Sequence, residues 1–270
     1  MREQLNIRWK NERLAATIDF PENLQTCKKY PLFIICHGFI GSKVGVDRLF
    51  VKAAEELNKD QSIVVRFDYS GCGESTGNYG KMGLHDFIDQ TRTVIDYAYR
   101  LKQVDRNQIT LLGHSLGGAT AVLTASRDNR IKRLILWSSV AHPYEDIKQI
   151  VGRDKVKSLK YVTDIDYMGY TLTRPFFDSL LSYQPLLETI EFTGNVLILH
   201  GTSDEDIPVQ YAQEFENAFA KRRSGTCTRH EIEGANHTIS NSKHFMELIQ
   251  FTRKWTNNEI SIANTQSVSI

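Results

Sequence analysis

Residues 109–120 read Ile-Thr-Leu-Leu-Gly-His-Ser-Leu-Gly-Gly-Ala-Thr, an apolar run that breaks into Gly113-His114-Ser115-Leu116-Gly117-Gly118. Glycine weakens helices and strands because it gives up the most conformational entropy on ordering. Three glycines in six residues therefore need a reason. The residues before them, "QITLLG", have the make-up of a strand buried on both faces. The residues after them, "LGGATAVLTASR", make a helix of small side chains. A serine at such a junction is held in a tight turn with its hydroxyl exposed, provided its neighbours carry no side chains that collide. Gly-x-Ser-x-Gly alone arises by chance in roughly one chain in ten of this length. The strand before it and the helix after it give it weight.

Outward from this junction the chain alternates. "QLNIR" and "LAATIDF" read as a strand pair joined by a turn over Lys10 to Arg13. "PLFIIC", "SIVVRFDY", "IKRLILWSS", "GNVLILHG" and "TRHEIEG" read as further strands. Between them "RLFVKAAEELNK", "LHDFIDQTRTVIDYAYRLK", a segment opening near Pro208, and "SKHFMELIQFTRKW" carry helical spacing. Strand and helix in alternation predict an α/β fold with a mostly parallel central sheet and helices on both faces. Residues 139–193, rich in Tyr, Phe, Asp and Lys, interrupt the alternation and are expected to form a cap inserted between two strands. The core is then 1–138 with 194–257. The polar stretch 258–270 has no helical stripe and is expected to be a loose tail.

The 270 residues carry a net charge of +1, so bulk charge favours neither nucleic acid nor an anionic membrane. No stretch approaches the length of a membrane span, and the first twenty residues hold no apolar signal core. Cys27, Cys36, Cys72 and Cys227 are far apart and form no Cys-x-x-Cys pair, which predicts free thiols in a reducing, cytoplasmic setting. Cys36 lies in an apolar run and reads as a buried thiol. No cofactor motif appears, and "HGFIGSK" lacks phosphate-loop spacing. No metal site is expected, since the spacing of His200 and the acids at 204–206 gives a metal site no strong support.

A serine hydroxyl needs a base, and the base an orienting carboxylate. His237, in "EGANH" after the last strand, is the best placed of the eight histidines, since α/β sheets present their chemistry at the carboxyl edge of the strands. An unperturbed imidazole titrates near 6.5, the property that lets a histidine take and return a proton near neutral pH. His85, His230 and His244 read as structural, and His114 is expected to point away from the hydroxyl. Asp204, Glu205 and Asp206 compete for the carboxylate. Backbone N–H groups of Leu116 and Phe39 are the candidate oxyanion donors, with Gly38 letting the backbone turn between strand and loop.

In this order, "HGFIGSK", "RFDYSGCGES", "GHSLGG", "HGTSDEDIP" and "EGANH" resemble the α/β-hydrolase superfamily along nearly the whole chain. The resemblance implies the α/β-hydrolase fold, with Ser115 as nucleophile, His237 as base and Asp204 as acid, Asp206 being the fallback. Within the superfamily the chain looks most like bacterial cinnamoyl and feruloyl esterases and their serine-aminopeptidase-like relatives, although Leu116 stands where those esterases often carry Gln. The expected activity is hydrolysis of a small-molecule carboxylic ester, of hydroxycinnamoyl or small to medium acyl type, by a monomer or homodimer. A peptidase or amidase, and a hydrolase-fold protein that binds without turnover, are the competing readings. His142, Tyr144, Tyr170 and Phe176 are the cap residues expected to contact substrate.

Overall fold

The structure, a computed structural model, describes residues 1–25 and 27–267. In chain order β1 (Arg2–Trp9) and β2 (Glu12–Asp19) form a hairpin. Then follow β3 (Tyr30–Cys36), α1 (Leu49–Lys59), β4 (Ile63–Phe67), α2 (Leu84–Tyr99), β5 (Val104–His114), α3 (Leu116–Ala125) and β6 (Ile131–Trp137). An insert follows, of α4 (Pro143–Val151), α5 (Arg153–Ser158), β7 (Asp164–Tyr167), β8 (Tyr170–Thr173), α6 (Arg174–Leu181) and α7 (Pro185–Glu188). The chain closes with β9 (Asn195–Gly201), α8 (Gln210–Phe219), β10 (Cys227–Ile232) and α9 (Ser242–Ser267).

Eight strands make one sheet in the order β1-β2-β4-β3-β5-β6-β9-β10. From β4 to β10 every pairing is parallel, and only the β1–β2 and β2–β4 pairings are antiparallel. The near-continuous apolar strands follow from burial on both faces. Leu32, Ile34 and Cys36 of β3 pack on one face, in the cluster with Phe87, Ile95 and Val122 from α2 and α3. Phe33 and Ile35 point the other way, toward Ala53 and Leu57 of α1 and Leu248 and Ile249 of α9. Each such aliphatic side chain contributes about 1.5–3 kcal/mol. The chain passes from β3 to β4 on one side of β3 and returns through β5 on the other. The carboxyl ends of β3 and β5 thus flank a switch point, where α/β sheets open a crevice.

The segment between β6 and β9 is tied to the rest of the chain through residues 79–84. The Thr173 hydroxyl donates to the Gly80 carbonyl at 2.6 Å, and the Leu84 N–H donates to the Ser179 hydroxyl at 3.0 Å. The expected loose tail is corrected: α9 continues through Ser267, so residues 258–267 are helical, and 268–270 lie outside the described residues. No Gly or Pro follows Trp255 to stop the helix. Its packed first half supplies the costly nucleus, after which each added residue extends the helix cheaply. Among the described residues no helix is long and apolar enough to cross a membrane.

Candidate active site

Ser115 joins β5 to α3 with φ 57° and ψ −127°, a strained conformation for a residue with a side chain. Three hydrogen bonds hold it there. Its N–H donates to the Trp137 carbonyl at 3.0 Å, and its carbonyl accepts from the N–H groups of Gly118 at 2.9 Å and Val140 at 3.1 Å. The flanking glycines serve close packing and not positive φ, which Ser115 itself adopts. A Cβ on Gly117 would lie 2.1 Å from the Cys36 carbonyl oxygen, so only glycine lets the first turn of α3 close on β3.

The loops after β9 and β10 meet beside this turn, because those strands are parallel neighbours in register. His237 Nδ1–H donates to Asp204 Oδ2 at 2.8 Å. Asp204 Oδ1 accepts from the N–H groups of Ile207 at 2.8 Å and Asp206 at 3.0 Å. His200 Nε2 lies 3.2 Å from Asp204 Oδ2 and donates to the Ile207 carbonyl at 3.0 Å. Burial pushes the Asp204 carboxyl up, but hydrogen bonds from His200 and His237 and the charge of His237 outweigh it and hold it well below the usual carboxylate range. Asp206 is exposed and contributes only its backbone N–H. Of the three acids Asp204 is the one whose carboxylate meets the His237 ring, with His200 as a second neighbour.

Ser115 and His237 open into one cavity of about 450 Å³, shared with Gly38, Phe39, His114 and Tyr170 and walled on its apolar side by Ile40, Val46, Leu49 and Phe50. Leu116 is the first residue of α3, and the first N–H groups of a helix have no partner within it. Phe39 follows Gly38, whose role differs from the expected turn. Its φ is ordinary, and what the site requires is proximity: a Cβ there would lie 2.9 Å from Ser115 Cβ and 3.3 Å from Ser115 Oγ.

The cap residues separate. Tyr170 lines the cavity. His142, Tyr144 and Phe176, expected beside it, are not among its lining residues. His142 stacks edge-on to Tyr211 and reaches Glu214 at 3.2 Å, drawn outward by that carboxylate. Tyr144 lies under the Lys148 ammonium, which is 4.6 Å from its ring. Phe176 is fully buried against Tyr79 and the ring of Phe39, as aromatics of a small insert usually are.

The sequence reading missed two histidines. His114 lines the cavity. Its Nε2–H donates to the His237 carbonyl at 2.8 Å and its ring packs 4.8 Å from the His237 ring. Burial and the charge of His237 push it down to about 3, so it stays neutral. His37 bridges two loops, Nδ1–H donating to the Gly38 carbonyl at 2.8 Å and Nε2 accepting the Tyr69 N–H at 3.0 Å. Burial lowers its pKa too. Its signal in the sequence was a histidine between a buried strand and a glycine.

Comparison with known proteins bears on the fold. A family model for the alpha/beta hydrolase fold matches residues 31–163. An uncharacterized 31.7 kDa protein from the traX-finO intergenic region of Escherichia coli is 33% identical over 126 residues, 46% of this chain and 42% of that protein. Protein bem46 of Schizosaccharomyces pombe is 30% identical over 172 residues, 63% of this chain and 49% of its own. The chain therefore matches less than half the length of these curated relatives. Among solved structures, Est1E of Butyrivibrio proteoclasticus with ferulic acid bound superposes with a TM-score of 0.83 at 26% identity, covering 95% of this chain and 99% of that one. With its sheet order, its strained serine turn and these likenesses, the chain has the α/β-hydrolase fold.

Proposed function

We propose that this protein is a serine hydrolase of carboxylic esters that works through an acyl-enzyme on hydroxycinnamoyl or small to medium acyl esters. One observation carries the reading: the His237 imidazole, bonded to the shielded Asp204 carboxylate, opens with Ser115 into one cavity. A charged acid on Nδ1 fixes the tautomer that leaves Nε2 free to accept a proton. Ser115 Oγ attacks the ester carbonyl while His237 takes its proton. The N–H groups of Leu116 and Phe39 stabilise the oxyanion, each such donor being worth about 10²–10³-fold in rate. The alcohol leaves with the proton from His237, and water then repeats the two steps on the acyl-enzyme. The apolar wall of Ile40, Val46, Leu49 and Phe50 suits an acyl chain or ring. The likeness to a protein solved with ferulic acid supports the aryl option.

The test compares p-nitrophenyl acetate, butyrate and octanoate with methyl ferulate, and each with an amide of the same acid, in wild type and Ser115→Ala. Ester turnover that falls about 10⁴-fold or more in the variant is expected. Faster cleavage of amides would move the assignment to a peptidase or amidase. Equal, negligible rates in both proteins would leave a binding protein.

A further inference from the structure

Away from the Ser115 cavity, α4, α5 and α6 enclose a second one of about 410 Å³, and the two share no lining residue. Its floor is apolar: Val156 is 7% exposed, Leu159 6% and Phe177 2%. Its rim is cationic, carrying Lys148, Arg153, Lys157, Lys160 and Arg174 against the single acid Asp178. The whole chain has a net charge of only +1, so this is a local concentration of charge. Part of it is already engaged. Lys148 pairs with Glu145, Arg153 donates to Gln149, and Arg174 lies 3.6 Å from Asp178. Lys157 and Lys160 have no ion-pair partner among the described residues, and both are exposed at the mouth.

We propose that this cleft of the insert binds an amphiphilic anion: one carboxylate or phosphate head on an alkyl or aryl body. The chemistry has two halves, and neither suffices alone. A cluster of like charges gathered at a recess repels itself and attracts an anion. An apolar floor beneath it gains free energy only from an apolar body, in proportion to the area covered. The volume falls within the roughly 300–1,000 Å³ of small-molecule sites, which fits one monomeric amphiphile better than a bilayer surface. This assignment stands independently of the ester-hydrolase reading.

Calorimetric titration of the full chain with dodecanoate and dodecyl phosphate, each below its micellar concentration, tests it. Dodecanol and inorganic phosphate are the controls. The comparison protein is Lys157→Glu/Lys160→Glu, whose changes are exposed and outside the lining of the Ser115 cavity, with Lys157→Arg/Lys160→Arg as the charge-preserving partner. Dodecanoate is expected to bind wild type and the arginine variant alike, and the glutamate variant about tenfold or more weakly. Raising the salt from about 0.01 M to about 0.5 M is expected to weaken wild-type binding. Equal affinity in the glutamate variant would overturn the proposal by placing the ligand elsewhere. Phosphate binding as well as dodecanoate would reduce the cleft to a plain anion site. Capture by phosphatidylglycerol vesicles without binding of monomeric dodecanoate would overturn it in favour of a lipid surface.

Discussion

Asp204 has no side-chain exposure to solvent, and a carboxylate so placed stays charged only if its oxygens are fully bonded. His237, His200 and the N–H groups of Asp206 and Ile207 supply those bonds. Replacing the carboxylate by an amide keeps the shape but inverts one contact, because the Asn nitrogen then faces Nδ1–H and favours the wrong tautomer. Asp204→Asn is expected to fold, to bind substrate with little change in KM, and to lose about 10³–10⁴-fold in kcat, read by steady-state kinetics on the best ester. A loss below tenfold would remove Asp204 from the proposed mechanism. The choice of Asp204 over Asp206 was not legible from spacing, since both follow β9 within five residues. Only the backbone turn that makes Asp206 a donor to Asp204 separates them. Ser115 and His237 were legible because the glycines and the strand ends around them leave few other roles.

At the scale of elements, the contact that matters is α3 on β3. A Cβ on Gly117 meets backbone, which cannot swing aside. Gly117→Ala is therefore expected to cost about 3 kcal/mol or more, seen as a lower midpoint in denaturant unfolding. An unchanged midpoint would show that the helix can shift freely. The insert has a similar seat: a Cβ on Gly80 would lie 1.8 Å from the Thr171 carbonyl oxygen, and the next residues of β8 approach the same turn. Gly80→Ala is expected to displace β8, which begins with the cavity residue Tyr170. KM should rise severalfold and protease cleavage within 139–193 should accelerate, with the core still folded. Unchanged KM and cleavage would mean that the seat is not what positions Tyr170. The strands and most helices were readable from apolar period alone. The seat of the insert was not, because it joins residues about ninety positions apart that carry no mutual pattern. The extension of α9 was missed because a helix can outrun its apolar stripe once nucleated.

For the molecule as a whole, the buried neutral histidines set the response to acid. Unfolded, His114 takes its proton near 6.5; folded, it is pushed down to about 3. Between those values the unfolded chain binds more protons, so this contribution to stability is full above about pH 6.5 and is lost as the pH falls. The slope is about 1.4 kcal/mol per pH unit for each such histidine, and His37, also lowered by burial, adds in the same direction. Thermal unfolding is expected at falling temperatures from pH 7 to pH 5. His114→Gln, whose amide can still donate to the His237 carbonyl, should flatten that dependence. Identical pH dependence in both proteins would contradict it. None of this was visible in the chain, because burial and the partner atoms of a histidine are properties of the folded packing.

The central claim is that Ser115 is an activated nucleophile. Its most direct test is reaction with a fluorophosphonate followed by peptide mapping by mass spectrometry. One adduct per chain, on Ser115, absent from Ser115→Ala and formed far more slowly in His237→Ala, is the predicted result. An adduct on another residue, or none while the wild type still turns over esters, would contradict it.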